Sequence, residues 1–411
     1  MNYVTLAIPF FILLMAVEWA YGQLRAKQTY RLNDTISSLQ MGTMSRLVSI
    51  LKLSVSGIVF AWFVNRLGIT SLDTDSPWVW IGAFVAYDFC YYWKHRFGHE
   101  WRIMWAAHAA HHQSEEYNLS TALRQTGTDY IGFVFYLPMY LAGIPVEVVV
   151  TVGSLNLIYQ FWVHTEHVRT LGPLEWIMVT PSNHRVHHAR NPDYIDRNYG
   201  GVFVIWDRLF GSFQPELREQ PCVYGITKGL KSWNPIWANF HIWYDTFLIS
   251  VRTQKLADKL KVWFKGPGWY PKDMKPKDAA EWQYEKFDPQ IDRFSGWYSF
   301  FNYWVLTGTS LGLLAIQSTL PRDFVLAVFV WLCFSFYCQS FWLEGRRYTL
   351  RAEVLKLAAL PILIWYGANA GLDKLTADAF SVYFGLCILL IVYYQFWARP
   401  PQSTTTELAN S

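Results

Sequence analysis

Long apolar runs alternate with short polar segments along most of the chain. A helix that crosses a bilayer needs about 20 predominantly apolar residues. Runs of that order predict helices over residues 4–21, 48–67, 78–93, 298–317, 324–343, 354–370 and 379–397. The stretch 131–163 is apolar too, but Pro138 and Gly143-Ile144-Pro145 interrupt it. It is short for two crossings, so it predicts a helical hairpin dipping into the membrane. The longest polar stretch is 164–297. Within it, 245–265 (DTFLISVRTQKLADKLKVWFK) places apolar and basic residues at helical spacing. That pattern fits a helix lying on the membrane surface and equally an amphipathic helix packed on its own domain. The expected organisation is N-terminal spans over 1–93, a polar core with the hairpin and a cap over 94–297, C-terminal spans over 298–397, and a disordered tail over 398–411. The fold class is therefore an all-α integral membrane protein, a multi-span helical bundle with a cap.

Charge orients this bundle. Lys and Arg favour cytoplasmic loops. Arg25, Lys27, Arg31 and Arg46 follow the first run, Lys94, Arg96 and Arg102 the third, and Arg346, Arg347 and Arg351 the 324–343 run. The loop after the second run, TSLDTDS, has Asp73 and Asp75 and no base. If the hairpin does not cross, the basic loops share one side, and the cap is expected in the cytoplasm. The first run has neither a basic leader nor a small-residue cleavage site, which reads as a retained span.

Composition agrees with a membrane setting. Only 16% of residues are charged and 18% are aromatic, against about 25% charged in soluble chains, and aromatic side chains suit membrane interfaces. The formal net charge of +4 includes no basic patch of the kind that marks nucleic-acid binding. The five Cys have no spacing that suggests a disulfide framework or a Cys-type zinc site.

Histidine changes the picture most. Ten of the eleven His lie between residues 95 and 188. They group as His95 and His99; His108, His111 and His112; His164 and His167; and His184, His187 and His188. Residues three and four apart share a helix face, so each group presents its rings together. Adjacent residues diverge by about 100° on a helix, so His111 with His112, and His187 with His188, are placed to reach two different metals. Nine clustered imidazoles exceed one ion and divide into two sets of four or five. Packing alone does not call for imidazole at helical spacing in group after group, and buried polar groups near a membrane are usually functional. His241 stands alone and reads as a core residue; His167 is left outside the site. Imidazole suits zinc, copper, iron and nickel. A structural zinc site closes with four ligands and a hydrolytic one with three, so this number favours a redox-capable iron pair, with zinc as a substitute. Among nearby carboxylates, Glu100 directly follows His99 and is placed to orient a ligand or handle protons. Glu115, Glu116, Glu166 and Asp193 are weaker candidates.

HRFGHE (95–100), HAAHH (108–112) and HRVHH (184–188) resemble the eight-His signature of the fatty acid hydroxylase/sterol desaturase superfamily. YYWKHRFGHEWRIMWAAHAAHHQSEEYNLSTALRQT (91–126), YQFWVHTE (159–166), LGPLEWIMVTPSNHRVHHARN (171–191), NYGGVFVIWDRLFGSF (198–213) and FKGPGW (264–269) extend that likeness to one branch. That branch is the tetrahydrobiopterin-dependent alkylglycerol monooxygenases. The resemblance implies a non-haem di-iron site, oxygen as oxidant and attack on a carbon of a lipid chain. It places ligands at His95, His99, His108, His111, His112, His184, His187 and His188, a further family His at His164, and a functional carboxylate at Glu100. Gln160 sits where distant members carry another His. No pterin motif is readable in the residues themselves.

The expected protein is thus a membrane oxygenase that takes a lipid substrate and O2 and cleaves an alkylglycerol to fatty aldehyde and glycerol. A sterol or fatty-acyl desaturase or hydroxylase of the same superfamily would use the same ligands. A metal transporter would place them inside spans near the midplane, whereas here they lie at span ends. The expected location is the endoplasmic reticulum in a eukaryote or the inner membrane in a bacterium.

Overall fold

A computed structural model describes residues 3–51, 66, 70–274 and 285–398. Most of the expected run 48–67 and the expected tail lie outside the described residues. The chain forms two compact units, Met1–Phe287 and Asp288–Ser411. Among the described residues there is no strand, only two isolated bridges, Met178 to Phe203 and Ala189 to Tyr224.

The first unit contains α1 (Tyr3–Leu24), α2 (Leu32–Leu47), α3 (Pro77–Glu100), α4 (Arg102–His112), α5 (Leu119–Ala122), α6 (Leu137–Leu141), α7 (Val146–Trp162), α8 (Pro181–His188), α9 (Ile205–Leu209), α10 (Pro235–Arg252) and α11 (Leu256–Phe264). Pro77 opens α3 at its first position, where a missing N–H costs nothing. Trp101, in extended backbone, ends α3 and begins α4. The stretch 131–163 is a helical hairpin, as its prolines suggest: a 3-10 turn and α6, then Gly143 at φ +82, then α7. Ala83 and Cys90 of α3 pack with Met139, Val148, Val149 and Val152 of this hairpin. Phe11 and Met15 of α1 pack with Leu119 and Phe161.

At the end of α1, buried Glu18 accepts hydrogen bonds from Tyr30 Oη, the Leu119 amide and Thr165 Oγ1. The segment 245–265 is not one helix. It breaks at Thr253, whose extended backbone closes α10 before α11 begins, and Asp273 accepts from the Thr253 hydroxyl and the Gln254 amide.

The second unit is built from α12 (Arg293–Ile316), α13 (Arg322–Leu343), α14 (Thr349–Asn369) and α15 (Lys374–Tyr393), the last continued by a π turn over Tyr394–Ala398. Asp292 and Asp373 cap α12 and α15 with their carboxylates. An ion pair between Lys356 and Glu353 is buried between these helices. Tyr298 Oη and Trp342 Nε1 donate to Glu353, at 2.6 and 3.1 Å. Lys356 Nζ donates to Asn302 Oδ1 at 2.9 Å and Tyr383 Oη at 3.2 Å.

Four described helices are long and apolar enough to cross a membrane: Leu6–Leu24, Arg293–Ile316, Arg322–Leu343 and Lys374–Ala398. This is a multi-pass membrane protein. The runs 78–93 and 354–370 form helices of the expected place, but neither helix is among those four. Asp88 lies within the first of these runs and Lys356 within the second.

Candidate metal centre

Four elements bring the imidazoles together. The last two turns of α3 carry His95 and His99, and the last two turns of α4 carry His108, His111 and His112. His164 follows the end of α7. The short helix α8 carries His184, His187 and His188, and every one of its residues is buried. Eight residues make a marginal helix on their own. Here Pro181 pre-sets the first turn, while Thr180 and Asn183 form a reciprocal capping box.

The nine rings form two groups. One holds His95, His99, His108, His112 and His187; the other holds His111, His164, His184 and His188. In each group one nitrogen per ring lies within 4.8 Å of all the others. The adjacent residues divide between the groups, as helical geometry requires. The groups abut, with the His112 and His188 rings stacked at 4.3 Å.

The outer ring nitrogens are tied to the backbone. His95 Nδ1 lies 2.8 Å from Tyr199 O, His111 Nδ1 3.0 Å from Arg124 O, His164 Nδ1 2.8 Å from Gln160 O and His187 Nδ1 2.9 Å from Arg197 O. A carbonyl only accepts, so each Nδ1 carries the hydrogen and each Nε2 keeps its lone pair. His99 Nδ1 faces Asp196 Oδ1 at 3.5 Å.

This arrangement tests whether a metal fits. His111 and His164 both use their Nδ1 hydrogens elsewhere, yet their Nε2 atoms face each other at 3.4 Å. Two lone pairs at that distance repel unless a cation lies between them. The other facing Nε2 pairs, His95–His108, His108–His112, His164–His184 and His184–His188, are 3.0 to 3.2 Å apart. Two imidazole nitrogens at a metal–nitrogen distance of about 2.1 Å sit roughly 3.0 Å apart at a right angle and roughly 3.4 Å at the tetrahedral angle. Nε2 of His99 and of His187 is buried with no hydrogen-bond partner. The residues fit a metal centre.

Protonation agrees. Burial, and then neighbouring imidazoles, hold His108, His112, His184 and His188 well below the ordinary value of 6.5. Burial lowers His111 to about 4. All are neutral near pH 7, the form that ligates. A cavity of about 50 Å³, lined by Tyr91, Lys94, Gly98 and Thr126, adjoins His95 and His108.

The remaining sequence candidates are not members of either His group. Glu100 is partly exposed and pairs with Arg96 at 2.8 Å. Glu115 accepts from the Phe287 amide, Glu116 pairs with Lys286, Glu166 pairs with Lys27, and Asp193 accepts from Gln220. Gln160 lends its backbone carbonyl to His164, while its side chain bonds Tyr91 and Asn156. His167 and His241 belong to neither group. The parts that reasoning from sequence missed are the ring-orienting groups: Asp196 and the carbonyls of Arg124, Arg197 and Tyr199. Backbone oxygens have no sequence signature. Asp196 had one faint sign, a carboxylate eight residues beyond the last grouped His.

The fatty acid hydroxylase family model matches residues 80–212, which hold all nine grouped His. The alkylglycerol monooxygenase of Homo sapiens is 44% identical over 272 residues, 66% of this chain and 60% of that protein. The ornithine lipid hydroxylase OlsE of Rhizobium tropici is 32% identical over 149 residues, 36% of this chain and 45% of that protein. No solved structure matches. The alkylglycerol monooxygenase of Danio rerio is 37% identical over 380 residues, 89% of this chain and 83% of its own length. With likeness carried so far beyond the His segments on both sides, the chain belongs to the alkylglycerol monooxygenase family.

Proposed function

We propose that this protein is a membrane-bound, non-haem di-iron oxygenase that hydroxylates the alkyl carbon attached to the ether oxygen of an alkylglycerol. The observation that carries the reading is the pair of His groups, five and four imidazoles with converging Nε2 atoms. His95, His99, His108, His112 and His187 would hold one iron, and His111, His164, His184 and His188 the other. Iron held there supplies oxygen activation and hydrogen removal from an unreactive C–H. Zinc would fit the same imidazoles in an overexpressed sample.

The chain's own part is to keep the rings neutral, fixed and dry. Backbone carbonyls set four rings, burial keeps protons off them, and the small cavity beside His95 and His108 has room for a molecule the size of O2. Glu100, next to His99 and held by Arg96, is the carboxylate we assign to proton handling. A C–H beside an ether oxygen is weakened, because the oxygen lone pair stabilises the developing radical. Hydroxylation there gives a hemiacetal, which collapses to fatty aldehyde and glycerol. The reaction consumes two electrons from outside, and we propose tetrahydrobiopterin as the donor, on the family resemblance alone. The membrane spans suit a long-chain substrate, whose tail remains in apolar surroundings.

The test is to supply alkylglycerol, O2 and reduced pterin to membranes holding the protein, with His111→Ala as control. Fatty aldehyde should appear, depend on all three and vanish in the control. If an acyl lipid or sterol gains a hydroxyl or double bond instead, a superfamily hydroxylase or desaturase reading replaces this one. Elemental analysis of purified protein should find two metals per chain.

We also place the cap on the cytoplasmic side, from the basic loops. A cysteine introduced at Ser71 should be labelled by a membrane-impermeant reagent from the opposite side only. Labelling from the cytoplasmic side reverses the orientation.

A further inference from the structure

We propose that the loop 196–199 is a positioning device for the five-His group alone, with Asp196 and Asp207 as its positioning residues. Three of the five rings in that group take their outer nitrogen to this one loop. His99 Nδ1 faces Asp196 Oδ1 at 3.5 Å, His187 Nδ1 meets Arg197 O at 2.9 Å, and His95 Nδ1 meets Tyr199 O at 2.8 Å. The contacting positions are consecutive but for Asn198. The rings of the four-His group make no bond to it. His111 and His164 use Arg124 O and Gln160 O, carbonyls near the end of α5 and within α7.

The loop is held in a form that a chain does not adopt unaided. Asp196 and Asn198 have φ of 59° and 54°. That left-handed region is unfavourable for an L-residue, and Asp and Asn are the side chains that tolerate it best. Asn198 is pinned by its amide and by both polar atoms of its side chain. Its amide donates to Ser212 O at 3.0 Å, its Nδ2 to Asn183 O at 3.0 Å and Gln214 O at 2.7 Å, and its Oδ1 accepts from the Gln214 amide at 2.8 Å. Asp207 clamps the far end. Fully buried, it accepts from the Tyr199 amide at 2.7 Å, the Gly200 amide at 2.8 Å and Ser212 Oγ at 2.8 Å. The amide that Asp207 grips belongs to Tyr199, whose own carbonyl receives His95. Moving that clamp moves the acceptor.

Asp196 differs from the other ring partners. Its side chain is half exposed, and it offers a carboxylate where the others offer carbonyls. A carboxylate behind a ligand imidazole raises its basicity and fixes its orientation, and loss of such a partner typically costs 10- to 100-fold in metal affinity or activity. The two metal positions are therefore supported by different parts of the chain and should respond separately to changes in this loop.

The inference rests on the reading that both groups hold metal. The test loads the purified full chain with cobalt(II), counts metal per chain, and follows its release into a chelator through the cobalt visible absorption. Asp196→Asn keeps the left-handed backbone and removes the charge from an exposed site, so folding is not at stake. Asp207→Asn removes one of the clamp's acceptors. Wild type should bind two cobalt ions. Both variants should release one ion about 10- to 100-fold faster, with the other rate unchanged and with the altered spectral intensity confined to the fast ion. Metal-free Asp196→Asn should melt with wild type. A two-cobalt wild type whose Asp196→Asn variant releases both ions alike, or neither faster, overturns the loop's role and leaves the two-metal reading intact. A wild type that binds a single cobalt overturns both.

Discussion

His111 shows what a residue in this centre must satisfy at once. Its ring is buried, its Nδ1 hydrogen is committed to Arg124 O, and its Nε2 faces another lone pair on His164. Such a ring is stable only when neutral. Its folded value of about 4 lies below the unfolded value of 6.5, and His108, His112, His184 and His188 are displaced the same way. The unfolded chain therefore takes up protons that the folded core refuses. For groups lowered in this direction, stability is present in full above about pH 6.5 and is lost as pH falls towards 4. Chelator-treated protein should melt at a clearly lower temperature at pH 5.5 than at pH 7.5. A melting temperature that holds or rises on acidification would show that these rings are not shielded as the structure has them. His241, whose Nδ1 meets Trp237 O outside both groups, should be replaceable by Ala with little effect on metal content.

At the scale of the element, α8 carries the most chemistry on the least helix. Three of its eight residues are grouped His, and its start depends on Thr180, whose hydroxyl lies 3.1 Å from Asn183 Oδ1 and 2.9 Å from Glu175 Oε1. Thr180→Ala should destabilise the protein by about 1 kcal/mol, as the loss of an N-cap does. It should also speed metal release from both groups, since His187 lies in one and His184 and His188 in the other. Unchanged release with a lowered melting temperature would confine the cap to a packing role.

The elements also show why some of this was legible in the sequence. His-x-x-His-His has a meaning because helical periodicity turns spacing into direction, so the split of His111 from His112 could be read without coordinates. Pro138 and Gly143 marked the hairpin for similar local reasons. The break at Thr253 was not readable, because the apolar and basic alternation runs on through it and the stop comes from Asp273, twenty residues away. Nor were the carbonyls behind the rings, which every residue possesses. On α3 the apolar residues form two faces: Ala83 and Cys90 pack on the hairpin, while Trp78, Ile81, Val85 and Phe89 stay exposed, and Asp88 reaches the loop after α8.

For the whole molecule, the second unit poses its own electrostatic problem. Lys356 and Glu353 are each about 1% exposed, inside a bundle with three of the membrane-length helices. Removing one partner of a buried pair leaves an uncompensated charge and costs about 3–5 kcal/mol, whereas replacing both is often neutral. Lys356→Met should therefore lower the melting temperature sharply, and Lys356→Met with Glu353→Gln should recover most of the loss. If the double variant is as unstable as the single one, Tyr298, Trp342, Asn302 and Tyr383 depend on the charges themselves and not only on their neutralisation.

Glu18 joins two regions usually treated separately. It sits in the last turns of the first membrane-length helix, and its carboxylate grips Thr165, the neighbour of His164, and the amide of Leu119. A spanning helix tilts when its apolar length and the bilayer thickness disagree. Tilt of α1 would pull on the residue beside a ring of the four-His group. Turnover should then depend on lipid acyl length, with an optimum in vesicles of one thickness and a decline in thinner and thicker ones. Glu18→Gln, with a weaker grip on the Thr165 hydroxyl, should flatten that dependence. Equal turnover of the wild type across vesicles of increasing acyl length would show that Glu18 serves as a fastening alone.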